Sequence, residues 1–520
     1  MRVATGQLPP PTAFGLPEKF NSWRWGQEDA VLHLKDSKKR IVVQLQPTGS
    51  GKSVCYVVGS ALSNRAVILT STKGLQSQLQ KDFPGTVAVV MGKNAYQCKL
   101  YNYQYNCETG PCNYGKYCPV KKECEYYLAI QRAKEARLVA TNYAFWVTNK
   151  KDTLGEFELL VCDEAHDSLT QVCDSLSVEI TQDNIAKCRL TDLYWPKEDE
   201  AENLWVWASL VYATLKIKIE DMKVESGIDA CLKDKNFKTW HRLKIKLERL
   251  SEVDRSLWVA EHNKKSITFD PIWPGKLVDK YLFRDAKKVL LTSATVTKKI
   301  LELLGVKDND TDFKEYDSQF PINRRPVMWI PTCRVDYKMT DYDMILWLTR
   351  IEQIIRPRLD RKGIIHTVSY NRCQRILNTS EFAEHMITHK SGGRDQAVKE
   401  FKNVSAPAIL VSPSVTTGFD FAYDECRYQI IGKIPFPDQR RKVDKERKKI
   451  DPMFGMNLAA QDLVQTVGRG MRAKDDFCET FIVDDHAAWF VFGKKNRELF
   501  PGDFIEACQK LQTIPTPIEY

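Results

Sequence analysis

"RIVVQLQPTGSGKSVCYVVGSAL", Arg40 to Leu62, passes from a β-branched run at Ile41 to Val43 through a glycine-rich loop into a pattern of helical period. Strand, loop and helix in that order are what a phosphate cradle needs. Glycines let backbone N–H groups turn inward on phosphate oxygens, and the helix N-terminus adds partial positive charge. Thr48, Gly49, Ser50 and Gly51 then line the phosphates, Lys52 reaches the β/γ oxygens and Ser53 ligates Mg2+. Gln46 stands where the general pattern has its first glycine, so the loop departs from it at one position.

Downstream, "FELLVCDEAHD" (157–167) supplies the partner element: an apolar strand, Leu159 to Cys162, that ends in Asp163-Glu164-Ala165-His166. An Asp at a strand tip holds Mg2+, and the adjacent Glu polarises the attacking water. Such a tetrapeptide alone fits a solvated turn. At the end of a buried strand, with a phosphate cradle upstream, it reads as the second half of a nucleotide site.

The 520 residues exceed what one core can organise, so two or more domains are expected. A net charge of +10 suits a nucleic-acid partner without requiring one. The first twenty residues hold prolines and no apolar core of signal-peptide length, and no apolar run is long enough to cross a bilayer. A cytoplasmic, membrane-free protein with reduced thiols is therefore expected. Fifteen cysteines, an odd number, argue against a full disulfide framework.

The remaining motifs follow in order. "SWRWGQEDAV" sets Gln27 in an adenine-reading position ahead of the phosphate loop. "AVILTSTKGLQSQLQKDF" ends a strand in hydroxyls, Thr70 to Thr72, suited to the phosphates of a nucleic acid. "KVLLTSATV" carries Ser293-Ala294-Thr295 after another apolar strand. A second α/β set has "GIIHTVSYNR" with His366 to Ser369, and "AILVSPSVTTGFDF" with Thr416, Gly418 and Asp420. "DLVQTVGRGMR" places Gln465, Gly468, Arg469 and Arg472 on one helix, the spacing of three projecting both guanidiniums from one face. From there they reach across a cleft toward the γ-phosphoryl group.

In this order the motifs resemble those of the superfamily 2 helicases, and most of all the DinG/XPD group of iron–sulfur DNA helicases. "YDSQFPINRRPV" (316–327), "GKIPFPD" (432–438) and "TFIVDDHAAWF" (480–490) add to the likeness. The resemblance implies an α/β fold: two RecA-like motor domains, parallel sheets flanked by helices, with two insertions in the first. Residues 1–92, 125–167 and 265–315 would form the first motor domain and 316–520 the second. Residues 93–124 would be a four-cysteine Fe–S insertion and 168–264 a helical arch-like insertion.

The resemblance further implies catalysis by Lys52, Asp163, Glu164, Gln465, Arg469 and Arg472, with Asp420 also at the nucleotide. It implies Mg2+ on Ser53 and Asp163, and DNA contacts from Thr70, Thr72, Asn142, Ser369 and Thr416. The expected cofactors are a 4Fe-4S cluster, ATP and Mg2+. The expected partner of a monomeric 5′-to-3′ motor is single-stranded DNA, or a forked or 5′-tailed duplex.

Five thiols crowd the first insertion: Cys98, Cys107, Cys112, Cys118 and Cys124. Zinc accepts four thiolates, but the paired CxxC knuckles common in zinc modules are missing, and wider spacings among aromatics fit an Fe–S cluster at least as well. The resemblance favours iron on Cys98, Cys112, Cys118 and Cys124, with Cys107 the alternative ligand. In the second insertion, Trp205, Trp207, Trp240 and Trp258 fall at helical spacing; they suit a core more readily than a base-stacking surface. "DQRRKVDKERKKIDP" (438–452) is the densest basic run, equally compatible with a solvated helix face and with a DNA backbone contact. Two other functions fit the residues: a DEAH-type RNA helicase with a zinc insertion, and a nucleic-acid-binding scaffold switched by ATP.

Overall fold

The computed structural model describes residues 8–101, 105–114, 117–234, 236–284, 286–413, 419–471 and 473–519. Two expected site residues, Thr416 and Arg472, lie outside the described residues.

The first half opens with β1 (Ile41–Leu45), β2 (Ala66–Thr70), β3 (Ala88–Val89), β4 (Leu138–Asn142) and β5 (Leu159–Asp163). A small antiparallel sheet follows, built of β6 (Val178–Thr181), β7 (Trp258–His262) and β8 (Ser266–Pro271). The chain then returns through β9 (Lys288–Ser293) and β10 (Thr311–Glu315) to complete a parallel sheet of order β10-β1-β9-β5-β2-β4-β3. β2 and β5 are buried along their whole length, which their unbroken apolar runs require in a sheet covered on both faces.

Register fixes the site. Leu45 of β1 pairs with Ser293 of β9, and Asp163 of β5 pairs with Thr292 of β9. The loops that leave the carboxyl ends of β1, β5 and β9 therefore meet in one crevice.

The second half carries β11 (Val327–Cys333), β12 (Lys362–His366), β13 (Met386–Ile387), β14 (Ala408–Ser412), β15 (Tyr428–Ile431), β16 (Glu479–Asp484) and β17 (Cys508–Lys510). They form a second parallel sheet, of order β13-β14-β12-β15-β16-β11-β17. Glu479, the first residue of β16, and Arg358, both fully buried, face each other in a two-bonded pair.

The interval read as helical, 168–264, holds helices Ala201–Lys233 and Phe237–Leu250, but it also supplies β6 and β7 of the small sheet. β8 carries that unit past residue 264 to Pro271. Trp205, Trp207, Trp240 and Trp258 are all buried, so they form the core of this insertion. Helix Phe237–Leu250 in turn packs on the cysteine-rich insertion. Tyr114 stands edge-on to Phe237 at 5.3 Å, and Arg242 pairs with Glu108 at 2.6 Å.

The basic run around helix Lys442–Ile450 clasps the small sheet. Arg441 pairs with the buried Asp270 at 2.5 Å, and the backbone N–H of Lys442 donates to Glu261 at 3.0 Å. Arg447 donates to the carbonyls of Pro271 and Ile272 at 3.0 and 2.8 Å. Arg440 stays in solvent. Among the described residues, no helix is long and apolar enough to cross a membrane.

Candidate functional site

The loop from Pro47 to Gly51 has Gly49 and Gly51 at φ of 76° and 80°, a conformation that only glycine adopts without strain. A helix, Lys52–Ala61, begins directly at the loop, so its free N–H groups face the crevice. Gln46, the departure from the general pattern, is buried and has a structural role: Thr292 donates to its Oε1 at 3.2 Å, and its backbone N–H donates to Ser293 at 2.9 Å.

A cavity of about 550 Å3 opens over this loop, lined by Lys52, Ser53, Asp163, Glu164, Asp420 and Gln465 among others, with Arg469 on the far wall. Lys52 Nζ lies 3.7 Å from Glu164 Oε1. Glu164 sits at φ 49°, ψ 52°, a sparsely populated region for a residue with a side chain, so the surrounding structure holds the turn. Asp163 receives a hydrogen bond from the backbone of Glu164 at 3.0 Å and one from the Tyr56 hydroxyl at 3.2 Å. Burial first, and the charge of Glu164 next, push the Asp163 carboxyl up to about 7. A buried carboxylate and a serine hydroxyl on one cavity wall are hard oxygen donors of the kind Mg2+ takes, and a divalent ion would restore the charged form of Asp163.

From Glu164 a chain of contacts leads to the second half. Glu164 lies 3.4 Å from His166, whose other contact on the same ring nitrogen is Ser293 Oγ at 2.7 Å. Ser293 Oγ accepts from the backbone of Thr295 at 3.0 Å. Gln465 donates to Thr295 Oγ1 at 3.3 Å, and Gln461, one turn earlier on helix Phe454–Val467, donates to the Thr295 carbonyl at 3.1 Å. Asp462, between them, is lifted by burial to about 6, with the His166 ring pulling it back down.

One expectation is corrected here. The helix ends at Val467, so Gln465 is on it but Gly468 and Arg469 lie beyond its end. Gly468 presses on the phosphate loop so closely that a Cβ would stand 2.4 Å from Thr48 Oγ1. The chain leaves the helix at that contact, and Arg469 just beyond it donates to the Phe419 carbonyl at 3.1 Å and lies 3.4 Å from Asp420.

Gln27 is buried beneath the loop. Its Oε1 accepts from the backbone of Arg24 at 2.9 Å, and its Nε2 donates to Ser50 and Gly51 carbonyls at 3.0 and 3.2 Å. Ser50 lies in the loop itself.

Three of the expected polymer-contact residues, Thr72, Asn142 and Ser369, cap helices that follow strands. Thr70 and Asn142 are paired neighbours at the ends of β2 and β4. Thr72 caps helix Lys73–Asp82, Asn142 caps Tyr143–Thr148, and Ser369 caps Tyr370–Thr379. N-caps bring backbone N–H groups and the positive helix end to the same place, which suits phosphate oxygens without reading sequence.

In the cysteine-rich insertion Cys98, Cys107 and Cys124 are buried, while Cys112 and Cys118 are half-buried. Cys107 Sγ lies 3.7 Å from Cys124 Sγ, so Cys107 is not set apart from the other thiols. Gly110 gives Cys98 room: a Cβ there would stand 3.2 Å from its Sγ. The donors are soft thiols of the kind that take zinc or an Fe–S cluster. Among the described residues, no three Cys, His, Asp or Glu side chains are already set around a single ion position.

Sequence reasoning missed Tyr56 and Gln461. Gln461 has a signal, since it precedes Gln465 by four residues and so shares its helical face. Tyr56 has none beyond being one turn past Lys52.

Residues 24–187 match the DEAD/DEAH box helicase family, and residues 357–502 match the helicase C-terminal domain family. The 3′-5′ exonuclease DinG of Bacillus subtilis (strain 168) is 23% identical over 277 residues, covering 48% of this chain and 30% of that protein. The chain thus aligns with less than a third of that relative's length. A solved XPD helicase aligns over 94% of this chain and 98% of its own, with 15% identity and a TM-score of 0.65. The S. tokodaii Xpd4 structure aligns over 94% and 100%, with 14% identity and a TM-score of 0.59. At such identities the likeness is one of fold, two RecA-type α/β domains.

Proposed function

Because the chain is a DinG/XPD-like helicase of superfamily 2, we propose that it hydrolyses ATP to move along single-stranded DNA and open a duplex, in the 5′-to-3′ direction. The observation that carries this reading is the path of polar contacts from Glu164, 3.4 Å from His166, and on through the hydrogen bonds of His166, Ser293, Thr295 and Gln465. It ties the nucleotide wall of one half to a helix of the other, as a motor that alternates with nucleotide state requires.

In this reading the loop N–H groups and Lys52 hold the β/γ-phosphates, and Glu164 orients the attacking water. Ser53 and Asp163 would hold Mg2+, which neutralises charge on the phosphate oxygens. Arg469 balances the charge that develops on the transferring phosphoryl group, and Arg472 is proposed to join it. Thr70, Thr72, Asn142, Ser369 and Thr416 grip the strand through its phosphates, so binding weakens steeply with salt.

Cys98, Cys112, Cys118 and Cys124 would hold a 4Fe-4S cluster, with Cys107 the rival of Cys124. Packing of that insertion on helix Phe237–Leu250 supports a place for it where strands part. The motor acts as a monomer on forked or 5′-tailed duplex.

The test is steady-state Mg–ATP hydrolysis by the purified chain, with and without single-stranded DNA or RNA. Stimulation by DNA, abolished in Lys52→Ala, is expected. Stimulation by RNA alone moves the assignment to an RNA helicase, and absence of hydrolysis leaves only an ATP-switched scaffold.

A further inference from the structure

The residue placed to read the nucleotide base is occupied elsewhere. Gln27 has both N–H groups of its amide on phosphate-loop carbonyls and its oxygen on the Arg24 backbone. It is packed so tightly there that a Cβ on Gly51 would stand 2.5 Å from its Nε2. It lines the phosphate cavity and cannot turn to a base without dropping bonds that hold the loop.

A second cavity, of about 390 Å3, adjoins the same loop and shares Arg24, Thr48 and Gly49 with the first. Its walls include Trp23, Trp25, Phe320, Gln319 and Lys474. The Phe320 ring lies directly against Gly49, where a Cβ would come within 2.9 Å of it. Trp25 leaves 61% of its surface in solvent, unusual for an indole, while Gln319 ties its carbonyl down at 2.7 Å. That bond engages the amide nitrogen of Gln319. Lys474 brings a point charge on a flexible stem, which meets any acceptor.

We infer that this aromatic cleft takes the base of the nucleotide by stacking, and that it admits purine and pyrimidine triphosphates alike. The inference rests on the nucleotide site proposed above. Every base has a π-face, so stacking holds without discriminating. Large discrimination arises where buried polar groups of a site lose their partners on the wrong ligand; the Gln27 amide is committed to the loop, and the Gln319 nitrogen to the Trp25 carbonyl. Trp25 and Phe320 therefore set affinity, and Gln27 is a positioning residue for the loop.

The experiment is calorimetric titration of the full chain with Mg2+ and ATP, GTP, CTP or UTP, without nucleic acid. The four affinities are expected to fall within about tenfold of one another, and Trp25→Ala to weaken all four by about tenfold. Gln27→Ala is expected to weaken them together, leaving their ranking unchanged. A preference for ATP beyond tenfold that disappears in Gln27→Ala overturns the inference and returns base reading to Gln27. Unchanged affinities in Trp25→Ala overturn it as well, by placing the base outside the cleft. If none of the four binds, the nucleotide site itself is overturned and the cleft with it, an outcome distinct from selective binding of ATP.

Discussion

Gln465 and Thr295 are joined by a 3.3 Å hydrogen bond that crosses from one parallel sheet's territory to the other's. Both are buried, so removing either partner leaves a polar group without water to replace it. Gln465→Ala is expected to lower DNA-stimulated kcat by about tenfold or more, with KM for ATP less affected, because the bond acts between the halves. A double-mutant cycle with Thr295→Ala checks this: full additivity of the two effects would show that the contact does not operate in turnover.

Tyr56 donates to the carboxylate proposed to hold Mg2+. Tyr56→Phe keeps the buried ring and deletes the donor. The Mg2+ concentration for half-maximal nucleotide binding is expected to shift by a few-fold, about one hydrogen bond's worth, with the melting temperature nearly unchanged. Nucleotide titrations at fixed Mg2+ concentrations measure it, and an identical Mg2+ dependence rejects the role.

Asp462 titrates near 6 in the fold and near 3.8 outside it, raised by burial. With the folded value above the unfolded one, its contribution to stability is full at low pH and is lost as pH rises through about 6. Asp462→Asn removes that slope. The melting temperature of the variant relative to the wild type is expected to climb between about pH 4 and pH 7, and a constant difference counts against it.

The thiols make a test that needs no turnover. Cys124→Ser is expected to lose iron and the visible absorbance of the anaerobically purified protein, while Cys107→Ser keeps both. The opposite pattern assigns Cys107 as the fourth ligand, and stoichiometric zinc in place of iron replaces the cluster altogether.

Much of the nucleotide site is legible in sequence because its chemistry fixes residue types within a few positions of a strand end. Lys52 and Ser53 must follow the loop, and Asp163 and Glu164 must end a strand. Contacts made by long-range packing leave no such trace: Tyr56 meets Asp163 across 107 residues, and Gln461 meets Thr295 across 166. The small sheet is hidden for the same reason, since four-residue β6 finds β8 only after two long helices have intervened. Arg469 is misread when spacing alone is followed, because a periodic count takes no notice of Gly468 being pressed onto Thr48. Gln27 is legible as part of the nucleotide site, but its bonding within that site is not.

The clasp between Arg441 and Asp270 has a mechanical consequence. Asp270 belongs to an insertion rooted in the first half, and Arg441 belongs to the second, so the pair rivets the two halves together away from the nucleotide. Arg447 and the Lys442 backbone reinforce the joint, so the halves are held along one edge. Points near a pivot travel little and points far from it travel most. In the proposed motor, with the rivet closed, opening of the cleft would be a gape, like that of a book held at its spine. Helix Phe237–Leu250 of the same insertion meets the cysteine-rich insertion through Arg242 and Glu108, so one unit touches both the rivet and the thiols.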